Sequence, residues 1–208
     1  WLAASHQASK LSLAMRGEVH GVGINDAPYC TQPVIDGKKV ICPSYSVWTA
    51  MLNRAYSAKF HARRQTYIRI EICDEWKNFC AFRDWWIENQ VDGWQLDKDL
   101  LSDTGVYSPG TCIFVPTWLN TFTIDCGAAR GEYKIGVYLH KGTGRFRARC
   151  RNTVANKNQH LGYFTTPEAA HLAWRTRKLE LALELKPRMD SIDLRIYPRV
   201  IEIINNAK

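Results

Sequence analysis

The chain has 208 residues, 46% hydrophobic and 12% aromatic, which is material for one large or two small cored domains. No apolar run approaches the roughly 18 residues of a membrane helix, so no membrane partner is expected. The formal charge of +8 is localised: residues 128–186 hold twelve Lys/Arg and four Asp/Glu, while the rest carries sixteen of each. A local excess of that size points to a polyanion partner, if its cations share a face.

Residues 1–14 are rich in Ala and Ser, with one Lys and no Asp or Glu. They lack the charged start and long apolar stretch of a signal peptide, so residues 1–20 are expected to be a flexible segment, with Met15 a plausible native start. Seven cysteines at irregular spacing, with no C-x-x-C, suit reduced thiols and a cytoplasmic chain better than a disulfide framework. Zinc held by Cys30, Cys42 and Cys73 is the alternative to buried thiols. Residues 21–42, with Gly23, Asn25, Asp26, Pro28 and Pro33, read as loop with short strands.

In the middle of the chain, Val47, Met51 and Ala55 recur at helical spacing and predict a helix over 46–56. Residues 65–73 alternate and predict a strand. Asp74 suits the N-cap of a helix over 75–90, whose Trp76, Phe79, Phe82, Trp85 and Trp86 read as core rather than as a base-stacking platform. Residues 94–101 predict a strand that turns acidic. A loop over 102–110 holds Asp103, Gly105, Pro109 and Gly110, residues 112–115 make a second strand, and Pro116 opens a short helix.

Strand, loop, strand and helix in under thirty residues, with Asp97-Lys98 closing the first strand and Asn120 on the helix, resembles the HNH (ββα-metal) nucleases, especially those of phage homing endonucleases. Asp97-Lys98 falls where that family has Asp-His, Thr111 falls on its middle Asn, and Phe114-Val115 with Asn120 falls on its aromatic-Val-Asn phrase. The resemblance implies metal-dependent phosphodiester hydrolysis, with Asp97 and Asn120 holding Mg2+ or Mn2+ and Asp97, Lys98 and Asp99 as the catalytic candidates. Hard cations of this kind take oxygen ligands, and the metal stabilises the leaving oxygen. Lys98 stands where the family has its general base, and a lysine serves as a base only if its pKa falls by several units. On the residues alone, Asp97-Lys98-Asp99 also suits a salt-bridged strand end.

The C-terminal third opens with a linker over 127–132, followed by a strand over 135–140 and a hairpin turn at 141–144. In Arg145-Phe146-Arg147-Ala148-Arg149-Cys150-Arg151, arginine alternates with small or apolar residues. A strand would put the four guanidiniums on one face, where they repel one another unless an anion compensates. A third strand is predicted over 160–164. Thr166-Pro167-Glu168 starts a helix expected to reach about Leu185 and to stop at Pro187. The tail after Pro187 reads as a strand or short helix packing back on the body.

Gly136-Val137, Phe146 with Ala148, Leu161-Gly162, Phe164, and Thr166 through Ala170 with Trp174 resemble the ethylene-response-factor (APETALA-type) DNA-binding domain. That family lays a three-stranded sheet in the major groove. The resemblance implies that Arg145, Arg147, Arg149 and Arg151 contact DNA, with Tyr138, His140 and Lys141 as further candidates.

The expected fold is α+β: N-terminal helices with a degenerate ββα-metal unit over 21–126, then a three-stranded antiparallel sheet packed on one helix over 127–186, and a tail over 187–208. The expected function is a phage-type HNH endonuclease of the bacterial cytoplasm, acting on double-stranded DNA with Mg2+ or Mn2+ and no small-molecule cofactor. The alternative is a non-catalytic DNA-binding protein. Monomer and dimer stay open.

Overall fold

The computed structural model describes residues 6–123 and 132–207, and its chain falls into two units that divide between Phe114 and Val115. In the N-terminal unit a short helix, α1 (Lys10–Ala14), starts at Ser9, whose hydroxyl accepts from Ser12 N. Arg16 then donates to the carbonyls of Asn25 (2.8 Å), Ala27 (2.6 Å) and Tyr29 (2.8 Å). Of the segment expected to be flexible, residues 1–5 lie outside the described residues, and Arg16 ties the described part to the next loop. Strands β1 (Val34–Ile35) and β2 (Lys38–Lys39) form a hairpin about Asp36-Gly37, both at positive φ, as a two-residue primed turn requires.

Helix α2 (Pro43–Tyr56) begins at its proline and buries Trp48, Met51, Leu52 and Ala55. Helix α3 (Ala58–His61) follows at once. The strand expected over 65–73 does not form. Gln65–Tyr67 make a 3-10 turn, and only β3 (Glu71–Ile72) is extended. A strand needs a partner along its length, and here Ile68 faces solvent while Tyr67 turns in to meet Phe60 edge-on.

The next helix also departs from expectation. Asp74–Lys77 form a 3-10 turn, and α4 (Phe79–Asn89) starts four residues late, at Asn78. Its Cys80 N–H donates to Asp26 Oδ1 (2.7 Å), a cap supplied from a distant loop. The aromatics are core, as expected: Trp76, Phe79 and Phe82 are fully buried around Trp48, whose indole N–H donates to Trp76 O (2.7 Å). Strands β4 (Gln95–Asp97), β5 (Val106–Tyr107) and β6 (Ile113–Val115) follow. β4 pairs with β6, and β5 pairs in parallel with β3.

The C-terminal unit opens with α5 (Thr117–Thr123), whose Leu119 and Phe122 are buried. The division thus falls before the helix, not at the expected 126/127, and most of the expected linker lies outside the described residues. Strands β7 (Val137–His140), β8 (Arg145–Asn152) and β9 (Lys157–Phe164) make an antiparallel sheet in that order. Helix α6 (Pro167–Asp190) packs on it, started by Thr166, whose hydroxyl accepts from Ala169 N (3.2 Å). Between them lie Val137, Ala148 and Ala170, with Phe146, Leu161 and Phe164 alongside.

Pro187 does not stop α6, contrary to expectation. The carbonyl that loses its partner belongs to Leu183, on the exposed side of the helix, and Met189 beyond the proline is fully buried. The tail is not a separate segment. Helix α7 (Ile196–Asn206) buries Ile196, Val200 and Ile204 and packs on α6 and α5.

Candidate nucleic-acid interface

Strand β8 alternates as its sequence demands. Ala148 and Cys150 are buried toward α6, so Arg145, Arg147, Arg149 and Arg151 point to the other face. Cross-strand neighbours share a face, and register therefore completes it. Tyr138 lies opposite Arg147, and His140 opposite Arg145. On the far side Tyr163 is opposite Arg147, His160 opposite Arg149 and Asn158 opposite Arg151. Lys141 is exposed in the β7–β8 turn, beside the face rather than on it.

The third strand reaches this arrangement through a bulge. Ala148 pairs with Gly162 and Arg149 with His160, so Leu161 is the extra residue. In a regular strand His160 and Tyr163, three apart, would point to opposite faces. The bulge turns Leu161 into the core and leaves both rings outside, 4.9 Å apart between centroids. Tyr163 also meets His140 edge-on at 5.2 Å. Neither His160 nor Tyr163 was singled out from sequence.

The arginines are ordered by aromatic contact rather than by acids. The guanidiniums of Arg147 and Arg149 each lie 5.8 Å from the Tyr138 ring centroid. Arg151 donates to Asn156 Oδ1. Residues 133–167 contain seven Lys/Arg and not one Asp or Glu. Among the described residues none of the four arginines pairs with a carboxylate, and Arg147 Nε is shut off from solvent without a hydrogen-bond partner. Arg177 on α6 shows the contrast: it pairs with Glu180 and Glu184 and donates to Gln159, bracing the back of the sheet.

The rigidity of the platform comes from its helix. Gly136, at φ +83°, leaves room for the Trp174 ring, which a Cβ would meet at 2.3 Å. His171 stacks on Trp174, and its Nδ1 lies 3.0 Å from Ile135 O.

The candidate catalytic residues have a different character. Asp97 Oδ1 accepts from Asp99 N and from Leu100 N, each at 2.8 Å, so it shapes the turn that ends β4. Burial raises its pKa above the ordinary carboxylate value, and the two backbone N–H bonds only partly offset this. Lys98 is buried, with its ammonium 5.9 Å from the Tyr67 ring and 5.6 Å from Tyr107, and it is ion-paired with Asp99. Asp97 lies in the N-terminal unit and Asn120 on α5 of the C-terminal unit.

A Mg2+ site needs carboxylate oxygens turned toward a common point. Here one oxygen of Asp97 is spent on backbone and one of Asp99 on Lys98, and no group of three His, Cys, Asp or Glu among the described residues is placed to hold a metal. Each carboxylate keeps its second oxygen, so the acidic ligands open to an ion here are one oxygen of Asp97 and one of Asp99. Cys30, Cys42 and Cys73 form no such group for zinc either. Cys42 instead sits 3.2 Å from Ser44 Oγ, and burial pushes the Cys73 thiol up. No helix among the described residues is long and apolar enough to cross a membrane. Compared with protein families, with curated proteins and with solved structures, the chain matches none of them.

Proposed function

We propose that the chain binds double-stranded DNA through the outer face of β7–β9. The observation that carries this reading is four arginines on one sheet face with no carboxylate paired to them among the described residues, set among Tyr138, Tyr163, His140 and His160. Such a face costs repulsion within the fold and is compensated by phosphates. Guanidiniums also suit bidentate contact with guanine edges, and a β-ribbon fits the major groove. Tyr138 holds two of the guanidiniums in place before any ligand arrives, which lowers the ordering cost of binding.

The test is duplex binding by fluorescence anisotropy. Replacing Arg147 and Arg149 by Ala removes two charge-assisted contacts and the centre of the face, so a loss of about 2–4 kcal/mol in binding is expected. Binding equal to wild type would refute the interface.

A second reading, a nicking endonuclease targeted by this sheet, is favoured by the pairing of β4 with β6 and the place of Asp97 at the end of β4. It is tested by plasmid nicking in Mg2+ or Mn2+ by wild type, Asp97→Asn and Asn120→Ala. Nicking by wild type that either substitution abolishes supports it. Equal nicking by all three removes Asp97 and Asn120 as the site, and nicking by none leaves the chain a DNA-binding protein without this chemistry.

A further inference from the structure

The N-terminal unit is neutral as a whole, with twelve Lys/Arg and twelve Asp/Glu over 1–114, but its charges are segregated. Residues 37–70 hold seven Lys/Arg and no acid, whereas residues 71–114 hold three Lys/Arg and nine acids. The acid-free run thus has nearly the length and cation content of the one that forms the arginine face.

Its second half is a basic knuckle. Ser57 caps α3, its hydroxyl accepting from Phe60 N. The amides of Arg63 and Arg64 both donate to Phe60 O, Tyr67 N donates to Arg64 O, and Ile70 N to Tyr67 O. Phe60 and Tyr67 lock edge-on at 5.3 Å beneath these turns. Lys59, Arg63, Arg64 and Arg69 are exposed on this framework, with Gln65 and Thr66 between them.

Of the other cations in this unit, Lys10, Lys38 and Lys39 are likewise exposed and outside any ion pair among the described residues. The knuckle differs in gathering four such cations within residues 59–69 on a hydrogen-bonded framework. Arg16 is spent on three carbonyls, Lys77 on Asp74, Arg83 on Asp84 and Lys98 on Asp99. Arg54, at the foot of the knuckle, lies 5.7 Å from the Tyr107 ring. Among the described residues, Lys59, Arg63, Arg64 and Arg69 make no ion pair, although acids outside the knuckle make up half the charges of the unit. Fixed backbone, exposed cations and absent counter-charge together describe a surface that neutralises an external polyanion.

We propose that residues 59–69 form a second, sequence-independent contact to the phosphates of duplex DNA, supplied by Lys59, Arg63, Arg64 and Arg69. This rests on the reading of the chain as a DNA-binding protein, and a nucleic acid is the one class of partner for which both acid-free runs have a use. An anionic membrane surface is the less suitable occupant, because the knuckle offers Ile68 as its single exposed large apolar side chain.

The experiment uses the full chain in four forms: wild type, Arg63→Ala/Arg64→Ala/Arg69→Ala, Arg147→Ala/Arg149→Ala, and all five substitutions together. Affinity for a 40-base-pair duplex of arbitrary sequence is followed as salt is raised, with circular dichroism melting as the check on folding. Loss of three phosphate contacts is expected to weaken binding at least tenfold near 0.1 M salt and to flatten the slope of log K against log salt by about 2 to 3. The substituted side chains are exposed, so melting is expected to stay put. Knuckle substitutions that leave affinity and slope unchanged while the sheet substitutions weaken binding overturn the knuckle and leave the sheet standing. The reverse result keeps the knuckle and removes the sheet. No duplex binding by wild type overturns both. Knuckle substitutions that abolish binding to phosphatidylserine vesicles but not to duplex assign the surface to membranes and overturn the proposal.

Discussion

Lys178 shows how a single residue can work against its fold. It lies on α6 beneath the sheet, 8% exposed, with its ammonium 3.6 Å from the centroid of the Phe122 ring. Burial brings its pKa from 10.5 down to about 8, and the nearby Cys150 offsets this only slightly. Below pH 8 the folded chain carries a desolvated charge that the unfolded chain keeps in water. Between about 8 and 10.5 the folded chain has shed a proton that the unfolded chain still holds, so stability rises with pH through that window. Lys178→Met, of similar volume, is therefore expected to stabilise the protein by about 2–3 kcal/mol at pH 7, with the advantage shrinking toward pH 10.5. Melting of variant and wild type at both pH values measures the difference, and an advantage that does not vary with pH would count against a desolvated ammonium.

Asp97 allows a similar separation at the same scale. Its Oδ1 takes two backbone N–H groups, so Asp97→Ala is expected to cost about 1–2 kcal/mol of stability. Asp97→Asn keeps a carbonyl oxygen that can accept both bonds, and its cost should be close to nothing. Chemical denaturation of the two variants checks this. An Asn variant that is as unstable as the Ala variant would show that the charge, not the acceptor, holds the turn.

At the level of elements, the sequence carried the arginine strand because alternation with a period of two is a local property, and Ala148 and Cys150 mark the buried face as clearly as the arginines mark the other. The helix at Thr166-Pro167 was legible for the same reason, since cap and first turn are contiguous. What failed was set by distant partners. Helix α4 is capped by Asp26 from more than fifty residues away, and among the described residues no strand pairs with the run over 65–70. The bulge at Leu161 was invisible because nothing in its own segment announces an extra residue. As a result half of the aromatic part of the face, His160 and Tyr163, went unread. Gly136 belongs to this scale too, since it decides how closely α6 approaches β7. An added Cβ would meet Trp174 at 2.3 Å on a backbone at φ +83°. Gly136→Ala should cost about 3 kcal/mol from backbone strain and overpacking together. Thermal melting measures this, and a loss below about 1 kcal/mol would mean that the ring moves aside freely.

For the molecule as a whole, the partition of the chain decides which pieces can exist alone. Motif boundaries suggest that residues 127–186 contain the sheet and its helix and therefore suffice. The packing argues otherwise. That fragment lacks α5, with Leu119 and Phe122 buried, and α7, with Ile196, Val200 and Ile204 buried. It also cuts α6 short of Met189, which is fully buried. Each such side chain contributes about 1.5–3 kcal/mol when removed from water, so six of them amount to about 9–18 kcal/mol. A domain of this size has only about 5–15 kcal/mol of net stability to lose. The fragment 115–208 retains all six and is expected to unfold cooperatively and to keep duplex binding. The fragment 127–186 is expected to lack a cooperative transition and to bind only as a disordered polycation would. Circular dichroism melting of the two fragments, with duplex titration beside it, decides the matter. A cooperative transition in residues 127–186 alone would show that α5 and α7 are dispensable to the sheet, and that the sheet with the first turns of α6 is the folding unit.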